Sequence, residues 1–247
     1  MTERVRQPFV HVHIPKTAGT SLRAAFIKGF GAERVAFMMP ERSFVKTSEL
    51  VFDTEELDQL RRIARKRQTL PQFSIMVQRM NKDQYYSTFG LEDILNQNIS
   101  VATGHIRHTD LVSSASALDH TTVVRDPLQR AWSHYVHWRE ARGSMWWHDG
   151  TVPYSDEVSF EAFVNDPALA NYQSNYLGKL ACAEIGSANK LDQFIARLGL
   201  NGSVTVPKLN TGLYEALPNF DSAFIRNFTE LNRADYELFA LSESVSS

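Results

Sequence analysis

Lys16 follows Pro15 and precedes Thr17, Ala18, Gly19, Thr20 and Ser21, side chains small enough for main-chain N–H groups to close on an anion. A hydroxyl-bearing turn with one flexible cation is suited to cradling a phosphate or sulfate. Arg125 ends an apolar run and is followed by Asp126-Pro127, with Ser133 eight residues beyond it. A guanidinium can grip a phosphate through two parallel N–H bonds, and a serine hydroxyl can donate to the same group. His105, next to Gly104, ends another apolar run. An imidazole beside a residue without a side chain is placed to take a proton from a substrate hydroxyl. The three positions thus offer two anion grips and a base.

Each of these groups needs a strand before it or a helix after it. Phe9 to Ile14, Ile99 to Thr103 and Thr121 to Val124 read as strands, and Leu22 to about Phe30 and Leu128 to Arg142 read as helices. A helix starting after the Lys16 loop would aim the positive end of its dipole at the bound anion. Proline at the first helical position makes Asp126-Pro127 a good helix opening. Parallel strands would gather the turns at Lys16, His105 and Arg125 on the carboxyl edge of one sheet, where ligands bind in open α/β folds. A further strand is expected over Glu33 to Met39, and a capped helix start at Asp53 with a basic tail through Arg67. Helical patterns follow over Ser159 to Asn165, Ala168 to Leu180, Ala188 to Leu198 and Arg226 to Leu241. A late strand, Gly202 to Pro207, leads into Lys208-Leu209-Asn210.

The lysine comes first in this loop, whereas the nucleotide-triphosphate loop places it just before the helix. The order Pro15-Lys16-Thr17-Ala18-Gly19-Thr20-Ser21 resembles the 5′-phosphosulfate loop of sulfotransferases that use 3′-phosphoadenosine 5′-phosphosulfate, in particular the carbohydrate branch related to heparan sulfate 2-O-sulfotransferases. Arg125 with Ser133 resembles that family's 3′-phosphate motif, and Gly104-His105 resembles the pair carrying its catalytic histidine. The resemblance implies an α/β fold: a P-loop-like three-layer α/β/α arrangement with a central parallel sheet of about five strands flanked by helices. It implies that Lys16, Thr17, Ala18, Gly19, Thr20, Ser21, Arg125 and Ser133 hold the co-substrate, with Lys208 and Asn210 as further contacts. Lys16 would face the leaving phosphate and His105 would be the base. The acceptor would be a hydroxyl of a saccharide or glycoconjugate, the product adenosine 3′,5′-bisphosphate, and no metal would be required. Where relatives commonly carry arginine, this chain has His13, so no role is assigned to it.

Each residue also has a plainer reading. The loop can be a simple strand-to-helix connection, Arg125 an ion-pair partner of Asp126, and Ser133 a helix-interior hydroxyl. Lys208 and Asn210 can be a polar turn, and His134 and His137 surface or packing residues. The aromatic group of Tyr135, Trp138, Trp146, Trp147 and Tyr154 can stack on a sugar or pack as core. The functional rivals are a P-loop nucleotide kinase and a catalytically silent nucleotide- or glycan-binding relative.

The 247 residues and 43% hydrophobic content suit a single α/β domain spanning 1–247. Lysine and arginine number 26 against 28 acids, a net charge of −2, which excludes a global field for nucleic acid or membrane and makes any anion site local. Cys182 is the one cysteine, read as a small buried helix residue rather than a nucleophile. The short polar start before Phe9 shows no membrane span, and a cytoplasmic, bacterial protein is expected.

Overall fold

The computed structural model describes residues 5–38, 44–46, 98–108, 118–143, 148–200, 204–207 and 216–244. The apolar runs become strands β1 (Phe9–Val12), β2 (Val35–Met38), β3 (Phe44–Lys46), β4 (Val101–Gly104), β5 (Asp119–Val124) and β6 (Glu184–Ser187). β1 and β4 are buried along their whole length, as strands covered on both faces must be. The helices are α1 (Gly19–Phe30), α2 (Pro127–Glu140), α3 (Phe160–Val164), α4 (Tyr172–Leu177), α5 (Leu191–Arg197), α6 (Ser222–Leu231) and α7 (Arg233–Ser244).

Among the described residues one sheet contains all six strands, in the order β3-β2-β4-β1-β5-β6. Five run parallel, and only β3 pairs antiparallel, on the outer edge of β2. The expected central sheet of about five parallel strands is therefore present, with one added edge strand. Alternate side chains along each strand divide the core in two, as a period of two requires. Phe9, Val101 and Val123 face Leu22, Phe26, Phe194 and Ile195 of α1 and α5. Val10, Val12 and Val124 face Leu128, Tyr135, Phe163, Tyr172 and Phe228 on the opposite side. The result is helices over both faces of the sheet.

Local signals fix several ends. Asp126 accepts a hydrogen bond from the Gln129 N–H at 2.9 Å and caps α2. Ser159 and Asp221 cap α3 and α6 in the same way.

The structure corrects other expectations. The helix expected over Ala168 to Leu180 splits into a 3-10 turn, Pro167–Leu169, and α4, because Asn171 adopts a left-handed conformation between them. The terminal helix is likewise two helices, α6 and α7, meeting at Asn232. Residues 184–187 form a strand, and Cys182 lies in the extended approach to it rather than in a helix. Burial pushes the Cys182 thiol up to about 12, consistent with an inert side chain. Residues 204–207 form no strand; Val206 instead donates its N–H to Asp192 at 2.8 Å. The helix expected from Asp53, together with Trp146, Trp147, Lys208 and Asn210, lies outside the described residues.

Candidate active site

Parallel register brings three turns together. Val12 stands opposite Gly104 of β4 on one side and Thr122 of β5 on the other, so the chain leaves all three strands at the same edge. The His13 N–H donates to the Gly104 carbonyl at 2.9 Å and carries the β1–β4 ladder one residue past the strand. His105 and Arg125 follow their strands directly, and Lys16 lies in the loop after β1.

The loop after β1 is strained. Lys16 and Ala18 both take positive φ, 72° and 75°, with Thr17 between them. A left-handed conformation costs a non-glycine residue roughly 1–2 kcal/mol, and such residues concentrate at binding and catalytic sites. Ala18 occupies the N-cap of α1 and offers no capping side chain, so the first helical N–H groups have no side-chain acceptor there. The Thr17 hydroxyl donates to the Ile14 carbonyl at 2.9 Å and closes the turn. It therefore holds the loop in shape rather than donating to an anion. Ser21 is buried and Thr20 is half-buried.

Gly19 has a separate requirement. A Cβ at this position would fall 1.8 Å from Nε2 of His13, inside the imidazole itself. Only glycine allows the helix start and that ring to share the space.

Cations gather around the loop. Burial, and beyond it the charges of Arg125 and Arg130, lowers the Lys16 ammonium to about 7, against the opposing pull of Glu140. Arg130, 3% exposed, sits with its guanidinium carbon 4.3 Å from the centre of the Tyr172 ring and points Nη1 at His134 Nδ1, 3.3 Å away. Its Nε is buried with no hydrogen-bond partner among the described residues. Because arginine can only donate, His134 accepts at Nδ1, and its Nε2–H donates to His148 Nδ1 at 3.0 Å. His134 is thus wholly buried packing, not surface. Burial chiefly, and with it the charge of Arg23 on the buried stripe of α1, depresses His11, His13 and His105.

Arg125 is held by its main chain. Gln173 of α4, completely buried, accepts from the Arg125 N–H and donates to the Arg125 carbonyl, both at 2.9 Å. Gln173 is fixed in turn by Asp235 of α7, whose two carboxylate oxygens accept from the N–H groups of Gln173 and Ser174 at 3.0 and 2.7 Å. Asp126 uses an oxygen to cap α2. Ser133, 4% exposed, lies on α2 two turns beyond Arg125.

His105 is oriented by an unambiguous bond. Its Nδ1 lies 3.0 Å from the His13 carbonyl, which can only accept, so Nδ1 carries the hydrogen and Nε2 is the basic nitrogen. Burial first, then Arg23 and Lys16, lower the imidazole to about 3. The ring is neutral at physiological pH. The His13 and His105 rings stack at 4.1 Å between centroids.

The structure brings the turn of Lys16, Thr17, Ala18, Gly19, Thr20 and Ser21 to the same sheet edge as His105 and Arg125, while Ser133 is buried on α2. It adds Arg23, Arg130, His13 and Gln173, which sequence reading did not assign to the site. For the two arginines a signal existed: Arg23 shares its stripe with Gly19, Leu22 and Phe26, and Arg130 shares its stripe with Pro127, His134 and Trp138, so helical spacing turns each cation inward. Trp132 stacks edge-on against Phe160 and packs near Tyr135 and Phe220. Among the described residues, no group of three or more His, Cys, Asp or Glu is assembled to hold a metal, and no helix is long and apolar enough to cross a membrane.

Fold and site together define an α/β protein with cations and a neutral histidine collected at the carboxyl edge of its sheet. No protein-family model matches the chain, and no curated protein matches it. Among solved structures it is similar to a sulfotransferase from Alicyclobacillus acidocaldarius at 12% identity and a TM-score of 0.40, the match covering 97% of each chain.

Proposed function

We propose that the chain is a sulfotransferase that moves a sulfuryl group from 3′-phosphoadenosine 5′-phosphosulfate to a hydroxyl of a saccharide or glycoconjugate. The observation that carries this reading is the strained Lys16-Thr17-Ala18 turn at the uncapped start of α1, set beside Arg125 on one neighbouring strand and His105 on the other. Alternating left-handed residues turn successive N–H groups to one side and make an anion-binding concavity. The charge balance supports the same reading, because Lys16, Arg125 and Arg130 repel one another and an anion among them would relieve that repulsion.

In this reading the turn and Lys16 hold the 5′-phosphosulfate, and Arg125 with Ser133 holds the 3′-phosphate. His105 Nε2 accepts the proton of the acceptor hydroxyl as its oxygen bonds to sulfur. Lys16 faces the bridging oxygen, which leaves with the electron pair of the broken sulfur–oxygen bond. Positioning and charge stabilisation do most of the work, as in phosphoryl transfer. Anionic charge near Lys16 and Arg23 offsets the two cations that depress His105 and so raises its basicity. Lys208 and Asn210 are assigned to the co-substrate by resemblance alone.

The test is calorimetric titration with adenosine 3′,5′-bisphosphate in the absence of magnesium, followed by labelled-sulfate transfer over a panel of polysaccharides, glycolipids and small alcohols. Binding and transfer are expected. Binding of magnesium–ATP alone would make the protein a kinase, and bisphosphate binding without transfer to any acceptor would make it a silent relative.

A further inference from the structure

His13 has no part in the chemistry just described, yet it touches both halves of it. Its ring lies flat against His105, 4.1 Å between centroids with 27° between planes. Its Nε2 edge fills the space that a Cβ on Gly19 would occupy. Its carbonyl accepts the Nδ1–H of His105 at 3.0 Å. The residue is 7% exposed, and its own Nδ1 is buried with no hydrogen-bond partner among the described residues, so packing rather than a bond at that atom is what the ring supplies.

We infer that His13 is a positioning residue: a wedge between the start of α1 and His105 that fixes the distance from anion loop to base, while its carbonyl selects the His105 tautomer. The inference deepens the sulfotransferase reading and rests on it for the identity of the base, but the contacts themselves can be tested without an acceptor. The position follows from the chain path. The ladder bond from His13 to Gly104 places the His13 carbonyl one residue beyond the strand pair, within reach of the side chain that follows Gly104. An imidazole there is flat enough to enter the gap beside Gly19. Burial, His105, Arg23, His11 and Lys16 all disfavour its charged form, so the wedge is neutral and does not repel the cations of the loop.

The groups facing His105 are His13 just past the end of β1, Lys16 from the loop and Arg23 from α1. Removing the wedge opens His105 to water while leaving Arg23 and Lys16 in place. Side-chain ¹⁵N NMR of the full chain should show His105 protonated at Nδ1 and unprotonated at Nε2 at neutral pH. In His13→Ala its titration should move up by more than about one pH unit, toward the ordinary histidine range. Gly19→Ala should lower the melting temperature sharply in the wild-type background and much less in His13→Ala, where the added methyl has room. His13→Asn serves the same NMR comparison if the alanine variant does not fold.

An Nε2–H tautomer, an unmoved His105 titration, or an equal Gly19→Ala penalty in both backgrounds would overturn the wedge. If the wild type fails to bind the bisphosphate, the functional reading falls, while the NMR titration and the double-mutant comparison still decide whether His13 positions His105.

Discussion

Gln173→Met removes an amide and keeps the length and flexibility of the side chain, so it isolates the two bonds that hold Arg125. Both partners are main-chain groups: the Arg125 N–H and the Arg125 carbonyl, each 2.9 Å from the Gln173 amide. A buried polar group left without a partner costs about 1–3 kcal/mol. Arg125 is half-buried, so water recovers part of the loss, and about 2–4 kcal/mol for the two groups follows. For a chain of this size, where each kcal/mol lowers the melting temperature by about 2–4 °C, the midpoint should fall roughly 4–16 °C. The turn that aims the guanidinium loosens at the same time. A bond to a charged group contributes about 1.5–3 kcal/mol, so affinity for adenosine 3′,5′-bisphosphate should drop about 10- to 100-fold. Scanning calorimetry and isothermal titration measure the two effects. Gln173→Glu keeps the acceptor for the N–H but sets a second oxygen against the Arg125 carbonyl and buries a carboxylate, and at neutral pH should lower the midpoint at least as far as methionine. A methionine variant with both unchanged midpoint and unchanged affinity would refute the claim that α4 holds the Arg125 turn.

His105→Ala should reduce sulfate transfer by about 10²–10⁴-fold while bisphosphate affinity stays near wild type, and comparable turnover would remove His105 as the base. Lys16, lowered to about 7, should react with amine-selective reagents at neutral pH faster than exposed lysines, and bisphosphate should protect it. Because the anion favours the ammonium, binding at pH 8.5 should take up a proton, visible as a difference in titration enthalpy between buffers of unlike ionisation heat. His11 and His105, each held at about 3 chiefly by burial, give a pH dependence of defined sign. The unfolded chain binds more protons than the native one from about pH 6.5 down to about 3, so stability is fully present above that window and lost as pH falls through it. Urea midpoints at pH 7 and 4.5 measure it, and His11→Phe should flatten the difference. Asp126→Ala removes the α2 cap and should destabilise by about 0.5–2 kcal/mol in denaturant titration.

Much of the site was legible in the sequence because its parts are local. An apolar run, a turn of small residues and a helix opening are written consecutively at Phe9 to Phe30 and again at Asp119 to Glu140, and Gly104-His105 ends its own strand. Local periodicity suffices to place such residues at strand ends, and the preference of parallel strands for a common carboxyl edge predicts that the ends meet. The left-handed conformations at Lys16 and Ala18 were not legible, because neither is the glycine that such φ values favour. The break at Asn171 and the strand at Glu184–Ser187 were hidden for a related reason, since neighbouring chain overrides what the local pattern prefers.

Tertiary structure alone decided what surrounds the functional groups. The stacking of His13 on His105 joins residues 92 positions apart, and the bonds of Gln173 to Arg125 join residues 48 apart. No spacing within either segment encodes those contacts; the β1–β4 register and the packing of α4 on the edge of β5 create them. The same holds for charge. The sequence places a lysine in the turn after β1, but its depressed basicity comes from burial and from Arg125 in the turn after β5 and Arg130 on α2. Residue type and local order determined which groups reach the carboxyl edge of the sheet. Long-range packing determined their protonation, orientation and spacing, because desolvation, hydrogen bonding and Coulomb interaction depend on three-dimensional neighbours rather than on sequence neighbours.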